Sequence, residues 1–233
     1  MVTEMNEQTE LSSTIAAYDA TADIYASTIG TAISAEIEGP LDRALLSLFV
    51  ELVAPSERLV ADIGCGPGRV AAFLAARGLP VVGIDPSAGM LAVAAAAHPG
   101  LRFEIGNLTD LPLADASLAG AVCWYSIIHT PPARLATSFH ELARALAPGG
   151  RLLLAFQSGR GEAVHRDSVH GRSVSLTNYR HDPDEIADLL GSVGLPVDSR
   201  AEREADGRET TPQAFLLAQR SSAPLPKVGD DVR

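Results

Sequence analysis

The sequence predicts an α/β protein whose seven-stranded, mostly parallel sheet is doubly wound, with helices on both faces. Two observations predict this fold. Short apolar runs alternate with segments of helical periodicity along the chain, which is the pattern of βαβ units. One of these runs also leads through a glycine-rich turn directly into a helix. The chain has 233 residues, enough for one such domain with a short extension.

Composition limits the partners and the location. The formal net charge of −11 disfavours nucleic acid and anionic membranes, both of which attract basic surfaces. Cys65 and Cys123 have neither metal-site spacing nor a disulfide context, which indicates a reducing cytoplasm. The polar, acidic N-terminus is not a signal peptide. We therefore expect a cytoplasmic monomer or homodimer with no nucleic-acid or membrane partner.

Two helices are expected before the sheet begins. Residues 1–10 and 221–233 are polar, and we predict that both ends are disordered. Apolar or aromatic residues then recur at steps of four and three, as on one face of a helix: Leu11, Ile15, Tyr18, Ala22, Tyr25 and Ile29. Gly39-Pro40 breaks the chain, and a second helix is predicted over 41–52, ending before Pro55.

The middle of the chain supplies five strands and three helices. The strands are expected at about 58–63, 80–84, 101–105, 118–126 and 151–157. The helices between them are expected at about 68–77, 87–97 and 131–147. Because strands and helices alternate, the strands should run parallel and be covered on both faces.

The last third of the chain is less regular. Ser158–Arg180 has little apolar periodicity, so we predict a long irregular segment, which in a compact domain is usually functional or mobile. A helix follows from Pro183 to Leu190. The last two strands are expected at about 197–204 and 213–218. They can pair as a hairpin around Asp206-Gly207 and add an antiparallel strand to the sheet.

The glycine-rich turn is the strongest indication of a ligand. It reads Asp62-Ile63-Gly64-Cys65-Gly66-Pro67-Gly68. Glycines let the backbone turn sharply and let a ligand approach it, and the following helix start offers free N–H groups. A dinucleotide fingerprint would need glycine at the next position, where Arg69 stands. Asp85 ends the next strand, where an acid can accept both hydroxyls of a ribose. The alternative is a glycine turn with an incidental acid.

The pattern Asp-x-Gly-x-Gly-x-Gly resembles motif I of the class I S-adenosylmethionine (SAM) methyltransferases, and the resemblance covers about 55–220. It implies a Rossmann-like sheet of order 3-2-1-4-5-7-6 with strand 7 antiparallel, and N-terminal helices (11–54) that cap the site. It implies SAM as the cofactor, with Asp62 helping to hold its ammonium group, usually through water, and Asp85 holding its ribose. Asn107 stands where the family usually has an acid that accepts the adenine amino group, which its side-chain carbonyl can also do.

The resemblance also implies a set of residues around the cofactor. We expect SAM to be bound by Asp62, Gly64, Cys65, Gly66, Gly68, Asp85, Pro86, Met90, Asn107, Leu108 and Trp124.

The acceptor should lie where ligands bind in open α/β sheets, beyond the strand ends at the switch in strand order. The fourth strand brings Trp124-Tyr125-Ser126 and then His129 to that edge. His129 is the candidate general base, because its ordinary pKa lies near 6.5; a packing histidine is an equal alternative. The candidate acceptor-binding residues are Tyr18, Tyr25, Tyr125, Ser126, Gln157, His165, His170 and Tyr179. No metal is expected, since 126–132 contains no acid.

The resemblance implies SAM-dependent methyl transfer to a small molecule, with S-adenosylhomocysteine (SAH) as the product. Oxygen is the favoured acceptor atom, with nitrogen or carbon as alternatives. A module that binds SAM without catalysis is a rival from another class. A nicotinamide oxidoreductase is a third possibility, against which Arg69 and Asp62 count.

Overall fold

The structure is a computed structural model that describes residues 2–54, 56–169, 172–207, 209–223 and 225. The helices are α1 (Val2–Ile29), α2 (Pro40–Val53), α3 (Arg69–Ala75), α4 (Ala88–Ala97), α5 (Pro132–Ala145) and α6 (Pro183–Ser192). The strands are β1 (Leu59–Ile63), β2 (Val81–Asp85), β3 (Arg102–Ile105), β4 (Leu118–Trp124), β5 (Leu146–Gln157), β6 (Ala163–Val169), β7 (Arg172–Tyr179), β8 (Val197–Arg203) and β9 (Gln213–Gln219).

The predicted seven-stranded sheet is confirmed. Its order is β3-β2-β1-β4-β5-β9-β8, in which β9 takes the place of the expected strand 7 and β8 that of strand 6. The first five strands are parallel, and β9 runs antiparallel to both β5 and β8. Since β1 pairs with both β2 and β4, the order switches beside β1, and the carboxyl ends of these three strands meet at one edge.

The sheet is buried on both faces because its central strands are apolar at successive positions. Cys123 of β4 belongs to the buried cluster that contains Phe139 of α5. The neighbouring Val122 belongs to the cluster on the opposite face, with Phe49 of α2. Successive side chains of a strand point to opposite faces, so an unbroken apolar run fits a strand covered on both sides.

Helix α1 is longer than predicted. It begins at Val2, so residues 2–10 are helical rather than disordered. No glycine or proline interrupts the chain before Gly30, whose φ of 81° ends the helix. No helix in the described ranges is both long and apolar enough to cross a membrane. Pro55 and residues 226–233 of the predicted tail lie outside the described residues.

Helix α1 is fastened to the edge of the sheet where the parallel strands end. The Oδ1 atom of Asp19 accepts hydrogen bonds from the Ser87 hydroxyl (2.6 Å) and from the backbone N–H of Gly89 (2.8 Å). These groups belong to the start of α4, where free N–H groups favour a carboxylate. The helix therefore covers the ends of the parallel strands, as the resemblance implies for the N-terminal helices.

The segment predicted to be irregular is a separate antiparallel hairpin of β6 and β7. The prediction of an irregular 158–180 segment is therefore wrong for most of its length. The apolar alternation of β7 is short, covering Val174 and Leu176 only, because the next position on that face is the buried but polar Asn178. The hairpin crosses α1, where Arg172 donates a hydrogen bond to the carbonyl of Ala20 (2.7 Å).

Candidate active site

Two adjoining cavities lie between the strand ends, α1 and the β6–β7 hairpin. The smaller has a volume of about 190 Å³ and the larger about 570 Å³. The two share part of their walls, formed by Tyr18, Tyr25, Gly64, Gly66, Trp124, Tyr125 and Ile128. A ligand in one cavity would therefore lie against a ligand in the other.

Two glycines of the loop are needed for different reasons. Both have positive φ, 73° at Gly64 and 51° at Gly66. A Cβ added to Gly64 would lie 2.3 Å from the Cβ of Ser126, so glycine lets the ends of β1 and β4 approach. A Cβ added to Gly66 would meet no atom within 4 Å. Since Gly66 lines both cavities, its backbone is open to a ligand at the place where a side chain would intrude.

Two other loop residues predicted to bind the cofactor do not line the smaller cavity. Gly68 lines neither cavity, and its contact with the cofactor stays a prediction. It has a φ of 81°, and an added Cβ would lie 3.0 Å from ring atoms of His98 and Phe103, so its glycine serves turning and packing. Cys65 lines the larger cavity only. Burial raises the pKa of its thiol well above the ordinary value and so keeps it protonated.

Asp85 connects the end of β2 to the glycine loop. Its Oδ2 atom accepts from the N–H of Gly66 and its Oδ1 atom from the N–H of Ser87, both at 2.8 Å. Burial raises the pKa of this carboxyl against the effect of the two hydrogen bonds. The carboxylate lines the smaller cavity, and each oxygen keeps acceptor capacity. It is therefore fixed in place and still able to accept from a diol.

Asp62 lies deeper and has a visible structural role. It is 1% exposed, and its Oδ2 atom accepts from the N–H of Ala71 (2.8 Å) in the first turn of α3. Burial raises the pKa of this carboxyl to about 7. Asp62 lines the larger cavity rather than the smaller one. It holds the helix start against the loop, and its contact with a cofactor ammonium stays a prediction.

The wall of the smaller cavity is mostly apolar. It includes Pro86, Met90 and Leu108, which were expected to lie around the cofactor. Asn107 also lines it, but its Oδ1 atom accepts from both the N–H (2.8 Å) and the hydroxyl (2.7 Å) of Thr109. A carbonyl oxygen has two lone pairs, and both are occupied here. An adenine amino group would have to displace one of these two donors, and the adenine role of Asn107 stays a prediction.

His129 forms a half-buried pair with Tyr18. Its Nδ1 atom lies 2.9 Å from the carbonyl oxygen of Thr177, and its Nε2 atom lies 2.6 Å from the hydroxyl of Tyr18. Because a carbonyl can only accept, Nδ1 carries the proton and Nε2 accepts from Tyr18. Burial lowers the pKa of His129 to about 4 and raises that of Tyr18. The imidazole is therefore neutral near pH 7, with its lone pair directed at the phenol.

This pair bridges the two cavities. His129 lines the smaller cavity, whereas Tyr18 lines both. A ligand in the larger cavity therefore faces Tyr18, and reaches His129 through that hydroxyl.

The remaining candidates are divided between the site and its surroundings. Gln157 lines the larger cavity, and Ser126 lines only the smaller one. His165 lines neither cavity; its side chain is exposed and contacts the Thr177 hydroxyl at 3.2 Å. Tyr179 lines neither cavity and donates to Glu10 at 3.2 Å. His165 and Tyr179 thus lie outside both cavities, and their roles in acceptor binding stay predictions.

Several cavity residues were missed, Arg166 and Asn178 among them, and one candidate cannot be placed. Arg166 and Asn178, on neighbouring strands of the hairpin, line the larger cavity. In the sequence, nothing marks these two residues except that each lies at an alternate position of its strand. The polar residues around them hide this period of two. His170 lies outside the described residues.

Taken together, the fold and the two cavities define a Rossmann-like cofactor-binding domain with an adjoining compartment for a second ligand. Comparison with known proteins gives the family. The methyltransferase domain family matches residues 60–150. An uncharacterized methyltransferase of Mycobacterium tuberculosis is 31% identical over 169 residues, which are 72% of this chain and 58% of the relative.

Two further similarities agree with this match. A ubiquinone/menaquinone biosynthesis C-methyltransferase of Rubrivivax gelatinosus is 37% identical over 107 residues, 45% of this chain and 42% of the relative. A SAM-dependent methyltransferase from Methanosarcina mazei has the same fold, with a TM-score of 0.64 at 22% identity, over 71% of this chain and 93% of that chain.

The chain contains a methyltransferase domain over residues 60–150 and has the fold of the SAM-dependent methyltransferases. It spans 58% of the length of the mycobacterial relative and 42% of the Rubrivivax relative. The activity, acceptor and partners of the whole protein are therefore matters of proposal.

Proposed function

We propose that the protein transfers the methyl group of SAM to a small-molecule acceptor and releases SAH, with oxygen as the favoured acceptor atom. The observation that supports this most is the pair of cavities that meet at the glycine loop. One is lined by the loop and Asp85, and the other is about three times as large and reaches the same loop. Methyl transfer needs this arrangement, since donor and acceptor must be held in line and away from water.

The residues around the smaller cavity fit SAM. Gly66 leaves an open space where a Cβ would stand, and Asp85 offers carboxylate oxygens to a ribose. The buried hydroxyl of Ser138 has no hydrogen-bond partner among the residues that the structure describes, and it lines this cavity. Met90 and Leu108 would pack on the base. When bound, SAM supplies a methyl group already activated on a sulfonium.

Tyr18 and His129 would remove the proton of a hydroxyl acceptor. The acceptor hydroxyl gives its proton to the Tyr18 oxygen as Tyr18 passes its own proton to Nε2 of His129. The chain geometry supports this order, because Tyr18 lines the larger cavity and already donates to Nε2 at 2.6 Å. A pKa of about 4 keeps the imidazole unprotonated but makes it a weak base. The relay therefore favours an acidic hydroxyl, such as a phenol, over an aliphatic alcohol.

Transfer to carbon is the second candidate. The Rubrivivax relative is named a C-methyltransferase. A carbon acceptor next to a phenol would also need its proton removed, so the same pair of residues could serve it. The two candidates differ in the product: an O-methyl ether in the first case, and a new carbon–carbon bond in the second.

The test is a product assay with isotopically labelled SAM. Purified protein is incubated with phenols, carboxylic acids, amines and enolisable ketones, and SAH and methylated products are quantified by mass spectrometry. We expect SAH to form only with certain acceptors, and the label to appear on oxygen. The Asp85→Ala variant is the control: SAH or methylated product that forms equally well with this variant does not depend on a cofactor bound at Asp85. Tight SAH binding with no turnover of any acceptor would favour a non-catalytic SAM-binding module.

A further inference from the structure

The larger cavity contains three arginines, and two of them are neutralised. Arg69 contacts Glu38 in a buried ion pair. Arg203 binds Asp42 through two hydrogen bonds of 3.1 and 3.0 Å and also contacts Glu209. These two arginines therefore stabilise carboxylates of the chain itself and have little charge to offer a ligand.

Arg166 differs from them. Its guanidinium has no hydrogen bond or ion pair with any residue in the described ranges, and it lines the same cavity. Arg166 pairs with Leu176 across the hairpin, and Asn178 pairs with Val164 two positions away. Leu176 and Asn178 are buried, so the face that carries them points inward. Arg166 and Asn178 are diagonal neighbours on that face.

The charge of Arg166 reaches the proposed proton relay. It lowers the pKa of both Tyr18 and His129, although burial is the larger influence on each. The carboxylates Glu36 and Asp206 also line this cavity, and both are exposed, as is Arg166 itself. The buried acids Glu38 and Asp42 are the ones already paired with arginine. An anion bound by Arg166 would thus lie on the relay side of the cavity.

Asn178 supplies a second, independent observation. Its Oδ1 atom is buried and, within the described part of the chain, accepts no hydrogen bond. The residue is 8% exposed and lines the larger cavity. A buried amide group without a partner is unfavourable unless a ligand supplies one. On this face of the cavity, and within the described residues, the Arg166 guanidinium therefore lacks an anion and the Asn178 Oδ1 atom lacks a hydrogen-bond donor.

We propose that the acceptor is a hydroxylated carboxylic acid, whose carboxylate binds Arg166 and one of whose donor groups faces Asn178. The inference rests on the proposed function in taking the ligand of the larger cavity as the methyl acceptor. Anchoring the carboxylate on the hairpin holds the molecule beside Tyr18, where a hydroxyl can give up its proton. Arg166 would be a specificity-determining residue, since it selects the acid over its uncharged analogues.

The test compares acids with their amides by calorimetry. The probes are 2-hydroxybenzoate, 4-hydroxybenzoate and malate, each against the matching amide, with and without saturating SAH. We expect at least one acid to bind about tenfold or more tighter than its amide, the scale of a charge-assisted hydrogen bond. Arg166→Gln should abolish this preference and Arg166→Lys should keep part of it. SAH affinity should be unchanged in both variants.

Arg160→Gln is the matched control, because Arg160 is exposed just before β6 and lines neither cavity. It should leave the preference intact. The proposal is overturned if no acid in the panel binds at millimolar concentration, or if acids and amides bind equally. It is also overturned if Arg160→Gln loses the preference for acids as fully as Arg166→Gln does. Failure of SAH to bind would instead overturn the proposed function, and the SAH-free titrations would still decide the role of Arg166.

Discussion

The hydroxyl of Tyr18 and the Nε2 atom of His129 lie 2.6 Å apart, although 111 positions separate the two residues in the chain. This contact joins α1 to the turn after β4, and the carbonyl of Thr177 in β7 fixes the other ring nitrogen. Three separate elements thus define the protonation state of one imidazole. The pair links α1 to the carboxyl ends of the parallel strands, and it is also the proposed route for a proton.

Replacing Tyr18 by phenylalanine tests that route. The ring and its packing remain, but His129 loses its hydrogen-bond donor and the larger cavity loses its link to the base. We expect turnover of a hydroxyl acceptor to fall about 100-fold or more, the scale of general acid–base catalysis. SAH affinity, measured by calorimetry, should change little. Thr14→Ala, at another wall position of α1, is the control. Equal turnover in wild type and Tyr18→Phe would exclude the relay.

The half-buried imidazole of His129 should make the free energy of unfolding depend on pH. The pKa of His129 is lowered from 6.5 to about 4 by burial, so the unfolded chain binds a proton more readily. The stability that the neutral His129 imidazole contributes is fully present above pH 6.5, and it is lost as pH falls toward 4. The shift corresponds to about 3 kcal/mol at most. Urea unfolding at several pH values should show a steeper decline below pH 6.5 for wild type than for His129→Gln. Parallel curves would mean that His129 titrates normally.

Gly66 and Gly78 offer a matched pair of substitutions. Both have positive φ, 51° and 84°, and an added Cβ meets nothing within 4 Å at either position. Alanine should therefore cost about 1 kcal/mol of stability at each from backbone strain alone. Only Gly66 lines the cavities, so only Gly66→Ala should also weaken SAH binding, by about tenfold or more. Equal SAH affinity in the two variants would place the cofactor elsewhere.

Asp85→Ala should weaken SAH binding by about 1.5–3 kcal/mol, because hydrogen bonds to a charged group have this strength. The variant also loses the bond that fixes the glycine loop at Gly66 and the bond to the N–H of Ser87, so calorimetry should be accompanied by a thermal melt. Asp188→Ala, an exposed substitution on α6, is the control. If SAH binds Asp85→Ala as tightly as the control, Asp85 does not hold the ribose.

The sheet could be predicted because its signals are local. Apolar runs such as Leu118–Trp124 are bounded by turn residues, and the three glycines identify the loop on their own. The β6–β7 hairpin was not predicted, since its buried face combines Leu176 with Asn178 and the apolar alternation extends only over Val174 and Leu176. Hydrogen bonding is equally invisible to sequence: nothing marks Asn107 as already occupied by Thr109.

Individual site residues divide in the same way. Gly66 and Asp85 follow from spacing, and both line the smaller cavity. The contact between Tyr18 and His129 depends on how α1 docks, a long-range arrangement that periodicity cannot give. Arg166 was hidden because a lone arginine in a polar segment is usually a solvated surface residue.

Trp124 lies in the wall that both cavities share, and it is the only tryptophan of the 233-residue sequence. Its indole ring is close to the rings of Tyr125 and Phe215, with centroids 5.8 and 5.7 Å away. Tryptophan emission from the native protein therefore originates at the junction where donor and acceptor would meet. Occupancy of either compartment can be followed optically, without attaching a dye and before any substrate has been identified.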